Sequence, residues 1–197
     1  MLAVSACAPQ ADPADPASAA QVPISTAQVP ASSAPAEAGV GPSIGAPVVG
    51  ISKPTRLSVP GMGLDEPLIE LGLGPDNTME VPTDFDDVGW FSGGGRPGGI
   101  GPTVLAGHVD STTGPAVFFR LGEVTVGETL TVSTADGTDA RYRVTEIGDF
   151  AKAEFPTTRV FAATPRDEIR LITCAGVFDD SAGAYQRNLV VFGSRVS

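Results

Sequence analysis

The sequence predicts a mainly β domain, built as a closed barrel or a sandwich of strands, that follows an unstructured tail. From Arg56 onward, short stretches that alternate apolar and polar residues are separated by Gly, Pro and Asp, as half-buried strands are. No stretch shows helical periodicity beyond two turns, and no internal repeat is present. Many short strands with few helices are typical of a barrel or a sandwich.

The first fifty residues form the expected tail. They contain eight Pro and fourteen Ala, and they include no aromatic residue, Lys or Arg. Such a composition cannot bury enough apolar surface to offset the entropy of ordering it, so we expect residues 1–52 to be a disordered tether rich in Ala, Pro and Ser. Its prolines favour an extended, semi-stiff spacer. Residues 53–197 are long enough to form a single domain with its own core.

Cys7 lies in a short motif within this tail. Val4-Ser5-Ala6-Cys7 resembles the lipobox of bacterial lipoproteins, in which the Cys receives a lipid. A complete lipoprotein signal also needs a basic start and a longer apolar stretch, which six residues cannot supply. Two interpretations stay open: the true start lies upstream, or the match is a coincidence in an Ala-rich segment. Under both, the tail resembles an exported spacer, and membrane contact is expected only through an N-terminal anchor.

Eight segments are predicted to be strands: Arg56–Val59, Glu66–Leu71, Thr78–Val81, Thr103–Gly107, Thr129–Thr134, Ala140–Ile147, Ile169–Cys174 and Asn188–Gly193. The pair Asp136-Gly137 between the fifth and sixth segments predicts a hairpin. Short helices are predicted over Pro115–Leu121 and Thr157–Phe161, because each begins at or next to a proline. Gly89–Gly101 holds seven glycines in thirteen residues but lacks the Gly-Lys-Ser/Thr ending of a phosphate-binding loop, so it is predicted to be a surface loop.

The composition excludes several classes of function. A net charge of −11 without a basic run offers no electrostatic surface for phosphate backbones, so nucleic acid is not an expected partner. One His and two Cys cannot form a four-ligand Cys/His zinc site. No apolar run approaches the ~20 residues that a membrane-spanning helix needs.

Three residues suggest a nucleophilic site. His108 follows the apolar segment Thr103–Gly107, Cys174 ends the run Leu171–Thr173, and Arg187 precedes the last predicted strand. Each residue alone is more often structural, but a thiol, an imidazole and a guanidinium together are what acyl transfer requires. The thiolate attacks a carbonyl. The imidazole protonates the departing amine and later activates the incoming one, and the guanidinium holds the oxyanion or positions the peptide.

The same residues carry a resemblance to the bacterial sortases. Their histidine region is similar to Gly107-His108-Val109-Asp110-Ser111 followed by Gly114-Pro115-Ala116-Val117-Phe118, and their nucleophile motif Leu-x-Thr-Cys is similar to Leu171-Ile172-Thr173-Cys174. The class F branch, typical of actinobacteria, is indicated by Phe155-Pro156-Thr157 and by the continuation Cys174–Asp179, with Val81-Pro82, Gly89-Trp90 and Tyr185…Asn188–Val191 in agreement. The resemblance covers about residues 53–197.

This resemblance implies an eight-stranded β-barrel with Cys174 at the end of the seventh strand and Arg187 on or just before the eighth. It implies a cysteine transpeptidase of the cell surface with His108, Cys174 and Arg187 as catalytic residues and with no cofactor or metal. Cys174 would cleave a C-terminal sorting signal such as Leu-Pro-x-Thr-Gly between Thr and Gly through a thioester, which an amine of a peptidoglycan precursor or another protein then resolves. Water as the acceptor would make it a thiol peptidase. We expect a monomer.

The arginine assignment departs from the class F pattern. There the arginine often follows the tyrosine directly, whereas Gln186 has that place here and Arg187 comes next. A shift of one residue in a strand turns a side chain to the other face unless a bulge absorbs it. Arg195 and Arg170 are the alternatives.

A second function stays open, namely a non-catalytic secreted β-barrel that binds a cell-wall component, with Cys174 as an inert core thiol. A papain-like peptidoglycan hydrolase is disfavoured, because that plan places the cysteine before the histidine and on a helix. A carboxylate partner for His108 is not identified: Asp110 is expected to be solvated, since neighbouring side chains on an extended strand point apart.

Overall fold

A computed structural model describes residues 51–75 and 77–196. The predictions for residues 1–50, including the tether and the lipobox at Cys7, lie outside the described residues, so the division into a tether and a catalytic domain stays a prediction. Within the described residues, no helix has the length and apolar character to cross a membrane.

The described chain forms a closed barrel of eight strands, which confirms the predicted fold class. The strands are β1 Pro54–Val59, β2 Leu64–Leu71, β3 Val88–Phe91, β4 Gly101–Ala106, β5 Thr129–Thr134, β6 Asp139–Ala151, β7 Asp167–Asp179 and β8 Ala184–Arg195. Their order around the barrel is β1-β2-β3-β4-β7-β8-β6-β5, and β1 pairs with β5 to close it. The β2–β3 and β4–β7 pairs are parallel and the others are antiparallel. The pairing of β4 with β7 positions the site.

Little of the described chain is helical. One short α-helix, α1, spans Thr157–Phe161 as predicted, and 3₁₀ turns span Pro60–Met62, Leu121–Glu123 and Lys152–Glu154. The predicted Asp-Gly hairpin is also confirmed: the backbone amide of Thr134 donates to the carbonyl of Thr138 at 2.9 Å, and Gly137 has φ +82°. A left-handed conformation of this kind favours glycine.

The predicted helix over Pro115–Leu121 is wrong. Gly114 and Pro115 instead form a small two-stranded hairpin with Asp110–Ser111. The amide of Val117 donates to the carbonyl of Phe85 at 3.1 Å, so it bonds to a neighbouring loop instead of to a carbonyl within a helix. The turns that follow bring the chain back against His108, whose carbonyl accepts a hydrogen bond from the amide of Phe118 at 2.9 Å.

The predicted strand Thr78–Val81 is also wrong. This segment makes a single bridge, between Leu73 and Met79, and the third barrel strand is β3 inside the glycine-rich region. A Cβ atom at Gly89 would lie 2.3 Å from Cδ1 of Leu71, so a larger residue there would have to displace this buried side chain. The prediction of a surface loop therefore holds only for residues 92–100.

Two apolar clusters lie on opposite faces of β7 and β8. The barrel interior contains Trp90, Tyr142 and Leu171, and a second cluster on the outer face contains Ile172 and Val190, covered by α1. Successive side chains on a strand point to opposite faces, so the outer face that bears Ile172 also bears the residue two positions later. That residue is the cysteine.

Candidate active site

The parallel pairing of β4 and β7 brings His108 next to Cys174. The last pair in register is Ala106 with Ile172, and the amide of Gly107 then donates to the carbonyl of Ile172 at 3.2 Å. The buried hydroxyl of Thr173 donates to the carbonyl of Gly107 at 2.9 Å. His108 is the next residue, at the point where the chain leaves β4, and Cys174 is the next residue of β7 after Thr173. Nearly seventy residues of sequence separation are thus closed by one strand pair.

His108 and Cys174 line the same groove, which has a volume of about 500 Å³. Cys174 is half-buried and forms no disulfide. Its strand continues beyond it to Asp179, so the cysteine lies within the seventh strand and not at its end. The thiol is therefore held on rigid backbone and still faces an open groove, as a nucleophile requires.

The imidazole of His108 is held by backbone groups. Its Nε2 lies 2.7 Å from the carbonyl oxygen of Pro82, and a carbonyl only accepts, so Nε2 carries the hydrogen. This leaves Nδ1 as the nitrogen that can exchange a proton with a substrate. The ring of Phe85 packs against the imidazole with centroids 4.7 Å apart, and the amide of Phe118 donates to the carbonyl of His108 at 2.9 Å. The carbonyl of Pro82 has no side-chain signature, and sequence reasoning missed this partner.

Arg187 lies in β8 one pair away from the cysteine. It pairs with Ala175, whereas Asn188 pairs with Cys174 and lines the groove with it. Its Nε donates to Oδ1 of Asp149 at 2.8 Å, and Nη2 donates to the carbonyl of Asp149 at 2.9 Å. The structure thus brings His108 and Cys174 into one groove and leaves Arg187 beside it, bound to an acidic partner.

A bulge in β8 precedes Arg187. The register between β7 and β8 shifts between Tyr185 and Arg187, and Gly176 opposite has φ +82°. A Cβ atom on Gly176 would lie 2.8 Å from Cδ of Arg187, so glycine makes room for the arginine stem. Gln186 is exposed, with Nε2 3.3 Å from the carbonyl of Ala184.

The two alternative arginines lie elsewhere in the barrel. Arg170 is buried, and its Nη2 donates to Oε2 of Glu168 at 2.8 Å, four residues before the cysteine along β7. Arg195 lies at the far end of β8, with Nε 3.8 Å from Oδ2 of Asp167. Neither of them lines the groove. Arg187 is the nearest of the three to Cys174 in strand register, because it pairs with Ala175, the residue after the cysteine.

Asp110, which was expected to be solvated, is only partly exposed. It is half-buried, and the hydroxyl of Tyr185 donates to its Oδ2. This hydrogen bond, burial and the carboxylate charge raise the pKa of Tyr185, and the charge of Cys174 raises it further. The hairpin after His108 is therefore tied to the start of β8, and the tyrosine hydroxyl lies within electrostatic range of the thiol.

The wall of the groove away from this hairpin is mainly apolar. It contains Met79 and Val81 from the segment Thr78–Val81, and Phe155, Phe161 and Ile172 around α1. Lys152 is the one Lys, Arg, Asp or Glu side chain among the described residues that line it. A neighbouring cavity of about 360 Å³ shares Met79 and Phe161 and extends the apolar surface. Such a groove fits an extended peptide with apolar side chains.

No group of three or more His, Cys, Asp or Glu side chains that could hold a metal ion occurs in the part of the chain that the structure describes.

Comparison with known proteins identifies the family. The family model of the Sortase domain matches residues 57–196. Among solved structures, sortase C-1 from Actinomyces oris is 26% identical, with 73% of each chain covered and a TM-score of 0.55. Sortase C1 from Streptococcus agalactiae is 20% identical, with 73% of this chain and 67% of that chain covered and a TM-score of 0.57.

A lid mutant of sortase A from Corynebacterium diphtheriae is 21% identical, with 73% of this chain and 70% of that chain covered and a TM-score of 0.56. No curated protein matches. The barrel, the groove that holds one cysteine and one histidine, and a family match over most of the chain agree. This chain belongs to the sortase family of cysteine transpeptidases.

Proposed function

We propose that this sortase cleaves a C-terminal signal of the type Leu-Pro-x-Thr-Gly between Thr and Gly and transfers the acyl group to an amine at the cell surface. In the first half-reaction, the thiolate of Cys174 attacks the threonine carbonyl, and protonated His108 gives its proton to the departing glycine amine. In the second, a neutral amine attacks the thioester, His108 takes a proton from it, and the thiolate leaves. The acceptor is an amine of a peptidoglycan precursor or of another protein, and water gives hydrolysis instead.

The observation that carries this proposal is the shared groove of Cys174 and His108. The thiol is accessible from it, and the hydrogen bond from Nε2 to Pro82 fixes the imidazole. The apolar wall around Met79 and Phe161 offers a surface for the Leu and Pro side chains of the signal. A groove of this kind holds the scissile carbonyl against the sulfur in a defined orientation.

Arg187 is proposed as the third catalytic residue. A permanently charged guanidinium stabilises an oxyanion or orients a peptide carbonyl. For this role it has to exchange Asp149 for the substrate. Its ion pair with Asp149 lies at the surface, with both side chains more than 40% exposed. Because solvent screens such a pair, breaking it to bind the substrate costs little free energy.

We assign the protein to the class F branch on Phe155-Pro156-Thr157 and the segment Cys174–Asp179. Residues 1–52 would then act as a tether that holds a monomeric domain at the cell surface, with a lipid on Cys7 as the anchor. Mass spectrometry of the protein from its own cells tests this anchor: a diacylglyceryl group on Cys7 supports it, and an unmodified secreted protein contradicts it.

Cleavage of a fluorogenic peptide that contains Leu-Pro-x-Thr-Gly tests the catalytic assignment. Cys174→Ala and His108→Ala should each abolish cleavage, and a thiol-directed alkylating reagent should inactivate the native protein. Cys7→Ala is the matched control: it removes the other cysteine, and cleavage and sensitivity to alkylation should both persist.

The alternative, a non-catalytic barrel that binds a wall component, makes the opposite prediction. Full cleavage by Cys174→Ala, or no cleavage of any member of a peptide library by the native protein combined with saturable binding to isolated cell walls, would favour it.

A further inference from the structure

The neighbouring cavity of about 360 Å³, which we call the side cavity, continues the groove past the proposed site of the signal peptide. It shares Thr78, Met79 and Phe161 with the groove. Neither His108 nor Cys174 lines it. The side cavity therefore joins the groove at the apolar wall beside α1, and not at the catalytic pair.

The walls of the side cavity are apolar and uncharged. Its apolar lining consists of Leu73, Met79, Phe91 and Phe161, and its polar members are one Asn and two Thr side chains. No Lys, Arg, Asp or Glu side chain of the described residues lines it. The rings of Phe91 and Phe161 meet edge to face with centroids 5.9 Å apart, and Leu73 is 55% exposed. A ligand that covers this surface with apolar atoms removes it from water, which is favourable.

Backbone hydrogen bonds fix the wall that carries Leu73 and Met79. These two residues form an antiparallel bridge, which places their side chains on the same side of the turn between them. The amide of Glu80 donates to the carbonyl of Gly72 at 3.1 Å, and Oε2 of Glu80 accepts from the amide of Gly72 at 2.7 Å. The wall is thus formed before a ligand arrives, and binding does not have to order it.

The direction of the signal peptide determines which of its residues reach the side cavity. With the threonine carbonyl at Cys174, the Leu of the signal lies three residues earlier, about 10 Å away along an extended chain. The proposed surface for this Leu includes Met79 and Phe161, which also line the side cavity. The residues before Leu therefore continue from the groove into the side cavity.

We propose that the side cavity binds a large apolar side chain, aromatic or aliphatic, from one of the two residues that precede Leu in the signal. This inference rests on the proposed function and extends recognition beyond the motif Leu-Pro-x-Thr-Gly. The contact lies away from the reacting atoms and is the same in the bound peptide and in the transition state. It should therefore lower KM and leave kcat unchanged.

Cleavage kinetics with matched peptides test the side cavity. Four fluorogenic peptides of equal length carry Phe or Ser at the first or the second position before Leu and are otherwise identical. At one of these positions, Phe should lower KM about tenfold relative to Ser, with equal kcat. Equal KM values for Phe and Ser at both positions would overturn the proposal.

Three variants assign this preference to the cavity. Leu73→Ser removes an apolar wall, and Thr157→Trp fills the cavity from the start of α1, so each should reduce the preference for Phe to about twofold or less. Val126→Ser is the matched control. It removes an apolar side chain that is 63% exposed and lines neither the groove nor the side cavity, so the preference should persist. A preference that survives both Leu73→Ser and Thr157→Trp would overturn the proposal.

A binding measurement separates this inference from the proposed function. Fluorescence anisotropy of labelled peptides with full-length Cys174→Ala protein should show about tenfold tighter binding of the Phe peptide than of the Ser peptide, and Leu73→Ser in the same background should remove most of this difference. Cleavage without a preference for Phe refutes this inference alone. If the native protein cleaves no signal peptide, the proposed function is refuted, and the anisotropy result then decides alone whether the side cavity binds an apolar side chain.

Discussion

Arg187 shows how strand register limits what a single side chain can do. Because Asn188 pairs with Cys174, the side chain of Arg187 begins on the face opposite the groove, and it reaches along the edge of Gly176 to Asp149. Under the proposed role, its long stem would let the guanidinium reach a substrate in the groove, and a shorter side chain at this position would not reach that far.

The first prediction concerns this arginine. Arg187→Ala should lower kcat/KM for a signal peptide by about 100-fold, the size of effect seen when one oxyanion donor is removed. Arg187→Lys should recover only part of the loss, because lysine keeps the charge without the planar fork. Steady-state kinetics on the fluorogenic peptide measures both.

Two further variants serve as controls for this prediction. Asp149→Ala removes the competing partner and should leave kcat/KM at or above the native value. Gln186→Ala changes the neighbouring exposed residue and should have little effect. An unchanged kcat/KM in Arg187→Ala would show that another group stabilises the oxyanion.

At the scale of the element, the pairing of β4 and β7 fixes the position of Gly107, the residue before His108, relative to β7, which carries Cys174. The hydroxyl of Thr173 lies between them, since it is buried and bonds to the carbonyl of Gly107, the residue before His108. The chain leaves the sheet after Gly107, so this side chain replaces the ladder hydrogen bonds that would otherwise fix the histidine. We therefore expect Thr173 to act as a positioning residue.

The second prediction tests that role. Thr173→Val leaves the carbonyl of Gly107 without its donor and should reduce stability by about 1–3 kcal/mol. It should lower kcat about tenfold with little change in KM, because the imidazole loses its fixed position and the groove keeps its shape. Thr173→Ser retains the hydroxyl and should recover most of kcat. A Val variant with native kcat would contradict the positioning role.

The elements also show how far the sequence alone could predict this molecule. Seven of the eight barrel strands follow from alternation and turn residues, but β3 does not, because Gly89 and the glycines after it resemble a loop. The segment Thr78–Val81 alternates as a strand does, yet Met79 and Val81 line the groove, and Val81 is 63% exposed. Periodicity alone does not distinguish apolar residues that line a groove from apolar residues that pack in a core.

The same limit applies to the site. His108 and Cys174 are the only histidine and the only cysteine in the folded part, so residue chemistry was sufficient to find them. The hydrogen bond between His108 and the carbonyl of Pro82 could not be predicted, because every residue has a backbone carbonyl. The hydrogen bond between Tyr185 and Asp110 joins residues 75 positions apart, and no local pattern in the sequence indicates it.

At the scale of the whole molecule, a polar cluster ties the barrel together at the end of its strands away from the cysteine. Asp167, at the start of β7, accepts hydrogen bonds from the hydroxyl of Tyr142 at 2.7 Å and from the amide of Gly98 at 2.9 Å. Arg195 at the end of β8 lies 3.8 Å from the same carboxylate. One side chain thus connects β6, β7, β8 and the glycine-rich loop. This cluster lies at one end of the barrel, and the groove lined by His108 and Cys174 lies toward the other.

The last prediction measures what this cluster contributes to stability. Tyr142 is fully buried, and burial, together with its hydrogen bond to Asp167, raises the pKa of its hydroxyl well above the usual value of about 10. Tyr142→Phe should reduce the free energy of unfolding by about 1.5–3 kcal/mol near neutral pH, since the lost bond goes to a charged acceptor.

The pH dependence of that difference has a defined sign. Above about pH 10, tyrosine in the unfolded chain loses its proton while the folded chain retains it, so the unfolded state binds fewer protons and the native protein loses stability as pH rises. Tyr142→Phe has no such proton to lose. Urea unfolding of both proteins should therefore give a stability difference that is constant from about pH 7 to about pH 9 and shrinks above about pH 10. Groups that titrate in both proteins cancel in this comparison. A stability difference that stays constant to about pH 11 would therefore mean that the Tyr142 hydroxyl has the same pKa in the folded and unfolded chains. That result would contradict the hydrogen bond to Asp167 as the anchor of this hydroxyl.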